Sequence, residues 1–253
     1  MEVVFLGVGE ACDPGQSNTS LLVRHDNGTT EQQVLLDCGF TAAHDYFRVA
    51  AGHALDGLWI SHFHGDHFFG VPLLLLRFWE AGRTQPFVIL GPAGGEARVL
   101  AAMDLAYPGM RERFSFSLEY MEVIPGHEVE AVGFRWLAAA TDHSLASLAV
   151  RLEGGGRTLF YSGDGRPTPA TVKLAAGCDL VVHEAFRWQG ETPGHGSVAG
   201  CLEFTRLAQA VRLALVHIQR EERRCFAGEI RRLAGKTSDF EVLLPVAGDI
   251  VVL

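Results

Sequence analysis

The chain lacks any Cys-x-x-Cys pair. Its five cysteines, Cys12, Cys38, Cys178, Cys201 and Cys225, are scattered, and their odd number fits a reducing compartment better than a disulfide framework. They are expected to be buried free thiols. A basic leader is missing from Met1-Glu2-Val3-Val4-Phe5-Leu6-Gly7, and the apolar run over 68–76 is too short to cross a bilayer. A cytoplasmic location without a membrane partner is therefore expected. No low-complexity tract, block of like charge or interdomain linker interrupts the 253 residues, so one domain over 1–253 is expected. Cations are scarce too: 21 Lys and Arg against 30 Asp and Glu give a formal net charge of -9. That balance argues against holding a long nucleic acid through the overall field, because such binding is driven by displaced counterions. The one arginine-rich stretch, Arg220, Arg223, Arg224, Arg231 and Arg232, reads as the solvated side of an amphipathic helix with Phe226, Ile230 and Leu233 as its buried stripe.

What is present is an ordinary globular interior, 48% hydrophobic with a mean hydropathy of +0.15, cut into short β-rich runs. Strands are predicted over 3–6, 20–23, 34–37, 58–60, 87–90, 120–124, 134–137, 148–152, 158–161, 180–183, 213–217, 242–244 and 250–252. Helical patterns lie between them. The clearest covers 197–211, with Val198, Cys201, Leu202, Thr205 and Ala208 on one face and Ser197 as the cap; another starts at Thr168-Pro169, and others cover 41–51, 68–82 and 95–103. Residues 107–111 read as a turn. Strands dominating each half, punctuated by helices, predict an α/β (α+β) sandwich of two β-rich halves packed face to face with helices outside.

Directly behind the apolar run Gly57-Leu58-Trp59-Ile60 stands Ser61-His62-Phe63-His64-Gly65-Asp66-His67, three imidazoles and a carboxylate within six positions. A strand feeding a tight loop points alternate side chains the same way, so His62 and His64 can converge on one cation while Asp66 and His67 turn toward a second. A pair of metals needs further ligands from later strand ends. His143 follows Ala138-Ala139-Ala140-Thr141-Asp142, Asp164 ends Leu159-Phe160-Tyr161-Ser162-Gly163, and His217 ends Leu213-Ala214-Leu215-Val216. A carboxylate has two oxygens, so Asp164 suits a bridging role, with Gly163 and Gly165 letting its backbone turn sharply.

The pattern His62-x-His64-x-Asp66-His67 with His143, Asp164 and His217 resembles the metallo-β-lactamase superfamily, and within it the ribonuclease Z-like phosphodiesterases. Phe5-Leu6-Gly7-Val8-Gly9, Asn18-Thr19-Ser20-Leu21-Leu22-Val23, Leu35-Leu36-Asp37-Cys38-Gly39, Tyr161-Ser162-Gly163-Asp164-Gly165-Arg166-Pro167 and Gly194-His195-Gly196-Ser197 match that branch as well. The resemblance implies an αββα fold, with His62, His64 and His143 on one metal, Asp66, His67 and His217 on the other, and Asp164 bridging. Asp37 would support the ligand loop without being a ligand. Zinc suits imidazole with carboxylate, while Mn²⁺ and Fe²⁺ fit the same donors. A homodimer is implied by the family alone.

Two adjacent cations favour hydrolysis of a phosphodiester, although they could also polarise a thioester or lactone carbonyl. His183-Glu184-Ala185 followed by His195 resembles the branch's pattern of a Glu and His cooperating near the leaving group, so the expected catalytic residues are Asp66, Glu184 and His195, with Glu184 orienting His195. A helix starting near Ser197 would favour an anionic ligand. The tRNA-processing members carry a protruding arm, in many of them between the third metal His and the bridging Asp, where this chain has only Arg151-Leu152-Glu153-Gly154-Gly155-Gly156-Arg157. Phe186 and Phe40 stand where the family motifs continue with Thr and Glu. The expectation is thus a small phosphodiester or nucleotide substrate, possible cyclic nucleotides included; the alternatives are a tRNA 3′-end endonuclease and a metal-loaded sensor without turnover.

Overall fold

The computed structural model describes residues 1–26, 28, 30–49, 55–190 and 192–253. In chain order the first half runs β1 (Glu2–Gly7), β2 (Ser20–Asp26), β3 (Glu31–Leu36), α1 (Ala42–Val49), β4 (Gly57–Trp59), α2 (Gly65–Phe68), α3 (Val71–Glu80), β5 (Phe87–Gly91), α4 (Gly95–Ala106) and β6 (Leu118–Glu122). The second half runs β7 (Val129–Ala131), β8 (Phe134–Ala140), β9 (Leu148–Gly154), β10 (Arg157–Tyr161), α5 (Pro169–Leu174), β11 (Leu180–Glu184), α6 (Val198–Ala208), β12 (Arg212–Val216), α7 (Arg220–Ala234), β13 (Glu241–Leu243) and β14 (Ile250–Val252).

The strands form two seven-stranded mixed sheets, ordered β14-β1-β2-β3-β4-β5-β6 and β13-β12-β11-β10-β9-β8-β7. Only β14 crosses over, pairing antiparallel with β1 to close the first sheet with the chain's last strand. Alternation explains the layering. In β1, Val3 and Phe5 point into the core between the sheets, while Val4 and Leu6 join the outer cluster beneath α1, α3 and α4. The two sheets meet through Trp59 and Trp136, stacked with ring centroids 6.0 Å apart, and Leu148 N donates to Ser61 O across the gap at 3.0 Å. A third cluster packs β10 to β12 against α5 and α6. The result is the expected αββα sandwich.

Several sequence expectations need correction. The helix predicted over 68–82 is shorter, α3 covering Val71–Glu80, while Phe68 ends α2; the two are separated where Gly70 comes so close to Gly39 that an added Cβ would sit 2.1 Å from its carbonyl oxygen. Strand β7 has no sequence signal: it is three residues long and leads into a turn with Val132 at φ 46, a conformation β-branched residues seldom adopt. Cys12 and Cys225 are exposed, so only three of the free thiols are buried. The predicted helix over 41–51 is seen over Ala42–Val49, and residues 50–51 lie outside the described ones. The turn over 107–111 runs into a 3-10 turn, Arg111–Arg113.

Candidate metal centre

The site forms on one rim of the sandwich, where β4, β8, β10 and β12 end. Left-handed backbone appears at two non-glycine residues here: Asp37, just after the neighbouring β3, has φ 60 and His217, just after β12, has φ 54. Such geometry costs on the order of 1–3 kcal/mol and survives only where the surroundings hold it. Here Asp37 N donates to Trp59 O and His217 N to Val8 O, each at 2.8 Å. Asp164 sits between two positive-φ glycines packed too closely for a side chain, since a Cβ on Gly163 would lie 2.5 Å from Ser61 Cβ and one on Gly165 would lie 2.3 Å from Thr141 Oγ1. Its carbonyl accepts from Thr141 Oγ1 at 2.7 Å and Ser147 Oγ at 2.8 Å.

The seven predicted ligands converge in two groups that share Asp164. His62, His64, His143 and Asp164 offer donor atoms within 4.8 Å of one another, and so do Asp66, His67, Asp164 and His217. In the first, His64 Nδ1 lies 3.0 Å from His62 Nε2 and 3.1 Å from His143 Nε2, with Asp164 Oδ2 3.9 Å from His62 Nε2. In the second, Asp66 Oδ2 is 3.3 Å from both His67 Nε2 and His217 Nε2, and Asp164 Oδ1 is 3.3 and 3.5 Å from the same two nitrogens. Ligand atoms around a tetrahedral zinc with bonds of about 2.0–2.1 Å stand roughly 3.3 Å apart. Both groups have that spacing.

The protons on the rings are assigned by the surrounding contacts. His67 Nδ1 donates to Asp37 Oδ2 at 2.7 Å, His143 Nδ1 donates to Gly194 O at 2.7 Å, and His62 Nδ1 lies 3.0 Å from Ser61 Oγ, whose own proton goes to Asp37 Oδ2 at 2.7 Å. The opposite nitrogens of the His62 and His143 rings therefore turn lone pairs inward, and His67 Nε2 faces Asp66 and Asp164. Buried His67 Nε2 and Asp164 Oδ1 have no hydrogen-bond partner, a costly state that a cation would relieve. The donor set fits a metal pair. Asp37 is the common support: besides His67 and Ser61 Oγ, it accepts from Ser61 N and Tyr161 Oη, each at 2.7 Å.

The groups differ in charge. Burial, with neighbouring imidazoles, holds the His62 ring well below its ordinary pKa, and burial likewise lowers His64. Burial would lower His217 also, but Asp164 and Asp66 push it up to about 9, and Asp164 with Asp37 raises buried His67 well above the ordinary value. Asp66 and Asp164 are correspondingly held low against their burial by these histidines.

Glu184 and His195 adjoin the second group, since Glu184, His195 and His217 also lie within 4.8 Å of one another. Glu184 is fully buried at the end of β11, accepting from Gly196 N at 2.7 Å, Phe186 N at 3.0 Å and Gly165 N at 3.2 Å. Its Oε1 stands 3.3 Å from His195 Nδ1, so the predicted pair is in place. Burial works against charge on His195, yet Glu184 raises its pKa above the ordinary value. Sequence reasoning gave no role to Ser61, Tyr161, Thr141, Ser147 or the Gly194 carbonyl. The first two lie inside quoted motifs, and nothing in the sequence reveals which backbone carbonyl meets His143. Among the described residues no helix is long and apolar enough to cross a membrane.

A family model described as Beta-lactamase superfamily domain matches residues 32–218. The ribonuclease Z of Natronomonas pharaonis is 28% identical over 310 positions, which take in 99% of this chain and 97% of that protein. Because the alignment exceeds 253 residues, that relative carries segments this chain lacks. The metallo-β-lactamase fold protein YhfI from Bacillus subtilis superposes with a TM-score of 0.81 at 18% identity, covering 99% of this chain and 98% of that one. Human tRNase Z, short form, superposes with a TM-score of 0.77 at 24% identity over 100% and 99% of the two chains. With the αββα sandwich and the paired His/Asp groups on its rim, the chain belongs to the beta-lactamase superfamily, among its ribonuclease Z-like metal-dependent hydrolases.

Proposed function

We propose that the protein is a dinuclear metal phosphodiesterase acting on a small nucleotide phosphodiester, cyclic nucleotides included, with His62, His64 and His143 on one ion, Asp66, His67 and His217 on the other, and Asp164 between them. The observation carrying this reading is the split of Asp164, one oxygen toward each group. Zinc is the preferred occupant for an imidazole and carboxylate set, with Mn²⁺ and Fe²⁺ as alternatives. When bound, such a pair activates a water near neutral pH and offsets charge on the reacting phosphate. The protein's own part is to hold and move a proton. Asp66 turns one carboxylate oxygen to the second group, where its charge faces His67 and His217. Glu184, fixed by three backbone N–H groups, keeps His195 protonated on Nδ1, and the opposite ring nitrogen donates to the departing oxygen.

A small substrate is supported by the hairpin joining β9 and β10, where only Gly155 and Gly156 separate the strands and no arm protrudes. The arginines of α7 supply little of a substitute grip: Arg220 pairs with Glu10, Arg224 with Glu221 and Arg232 with Glu229, and Arg223 donates to Pro245 O, so most of the helix's positive charge is already engaged. The second reading, a tRNA 3′-end endonuclease, is favoured by the end-to-end similarity to a ribonuclease Z. Residues 1–253 are read as one domain, five free cysteines support a reducing, cytoplasmic compartment, and an apolar groove of about 280 Å³ lined by Phe47, Leu73, Leu76 and Trp79 supports a homodimer. The test is turnover of precursor tRNA and of a panel of cyclic mono- and dinucleotides by the metal-loaded protein, with Asp164→Ala as the blank. Cleavage of a small diester is expected; cleavage of tRNA alone would move the assignment to the second reading, and no turnover of any phosphodiester would contradict both.

A further inference from the structure

His195 has a weak hold on its own orientation. Its Nδ1 is buried without a well-formed hydrogen bond, the 3.3 Å approach of Glu184 being an ionic contact at a single atom. One such contact leaves a ring free to pivot. Packing on its faces holds the plane: Phe186 stacks on the imidazole with centroids 4.7 Å apart and an interplanar angle of 26°, closer than the stacked His217 ring at 6.0 Å and 12°, while His143 meets the ring edge-on at 5.1 Å. Phe186 is itself clamped. Its N–H donates to Glu184 Oε2, and the Arg187 guanidinium covers its ring at 5.5 Å from the centroid. That guanidinium reaches Thr192 Oγ1 and Glu222 Oε1, each at 3.3 Å, and Thr192 O accepts from His195 N at 3.1 Å. The loop carrying His195 is thus tied back to the residue that stacks on it.

We infer that Phe186 is a positioning residue, its ring face setting the plane of His195 so that the nitrogen opposite Glu184 points at the departing oxygen. This rests on the proposed phosphodiesterase reading. As the P–O bond breaks, its electron pair goes to the departing oxygen and the His195 proton follows; the water that forms the new P–O bond supplies the proton that restores the ring. A threonine at this place would offer no face to stack on. The role belongs to the leaving-group step alone, so it must vanish when the leaving group needs no proton.

The experiment uses the metal-loaded protein with two substrates: the nucleotide phosphodiester that the wild type cleaves fastest, whose leaving group is an alkoxide, and bis(p-nitrophenyl) phosphate. Phe186→Ala is expected to lower kcat on the first about 10- to 100-fold, with KM little changed, and to leave the nitrophenyl ester nearly untouched. Phe186→Tyr should restore the rate, and adding Phe186→Ala to His195→Ala should cost nothing further. Phe186→Leu, which keeps the apolar bulk, should behave like Phe186→Ala, with metal content confirming that both variants fold. Equal losses on both esters, a further loss in the His195→Ala background, or full activity of Phe186→Ala would overturn the inference. A wild type that cleaves no nucleotide phosphodiester would sink the underlying reading instead.

Discussion

The two ligand groups on the rim are built to different plans. One is three imidazoles, two of them partly open to solvent, with His62 and His64 held down by burial and by the neighbouring rings. The other is fully buried and rich in carboxylate, and its histidines are pushed up. At neutral pH His62 and His64 therefore favour the neutral ring, whereas His217 favours the charged one. The shared residue, Asp164, links these two states.

Replacing the shared residue gives the largest effect. Asp164→Ala should reduce turnover to background and lower the metal content of both groups, which elemental analysis checks; retention of two ions would show that the groups are independent. His195→Ala removes none of the seven donor residues of the two groups, although its ring packs on His217 and His143. It should cut turnover by about 10²–10⁴ with both ions still bound, and loss of metal would make His195 a ligand instead. Asp37→Asn should weigh most on the carboxylate-rich side, since His67 bonds Asp37 directly whereas His62 meets it only through Ser61. The amide would face protons from His67, Ser61 and Tyr161, so affinity at the carboxylate-rich group should fall about 10- to 100-fold, while the Gly194 carbonyl still holds His143. Competition with a chelator reads the difference.

pH gives the smallest and most discriminating effect. His217, with a pKa raised to about 9, is protonated at pH 7, and a cation must displace that proton. Affinity of the carboxylate-rich group should therefore rise with pH, by about tenfold per unit for each displaced proton, and level off near pH 9. His62 and His64, lowered by burial, are already deprotonated at pH 7, so the imidazole group should be flat over the same range. Calorimetric titration in buffers of different ionisation enthalpy separates the two events, and equal proton release from both would erase the contrast.

The convergence of these donors was legible because their signals are local: one loop carries His62 to His67, and His143, Asp164 and His217 each follow a β-like run. Layer order followed from the same periodicities. What escaped the sequence depends on contacts between distant segments. Asp37, Ser61 and Tyr161 meet from three strand ends, and their network is a product of tertiary packing. The Gly194 carbonyl reaches His143 across 51 positions, with no side-chain signal at all. Strand β7 failed for another reason, since three residues and a strained Val132 turn carry no period or turn residue to read. The thiols of Cys12 and Cys225 were misplaced because hydrophobicity says a cysteine is usually inside, and nothing local said these two were not.

The central claim is that Asp164 holds the two groups as one dinuclear centre. Crystals grown from zinc-loaded protein, measured on either side of the zinc absorption edge, test it directly. The account predicts two anomalous peaks about 3.5–4 Å apart, one against each group, with the Asp164 carboxylate between them. A single peak, or two whose nearest carboxylate is not Asp164, would contradict it.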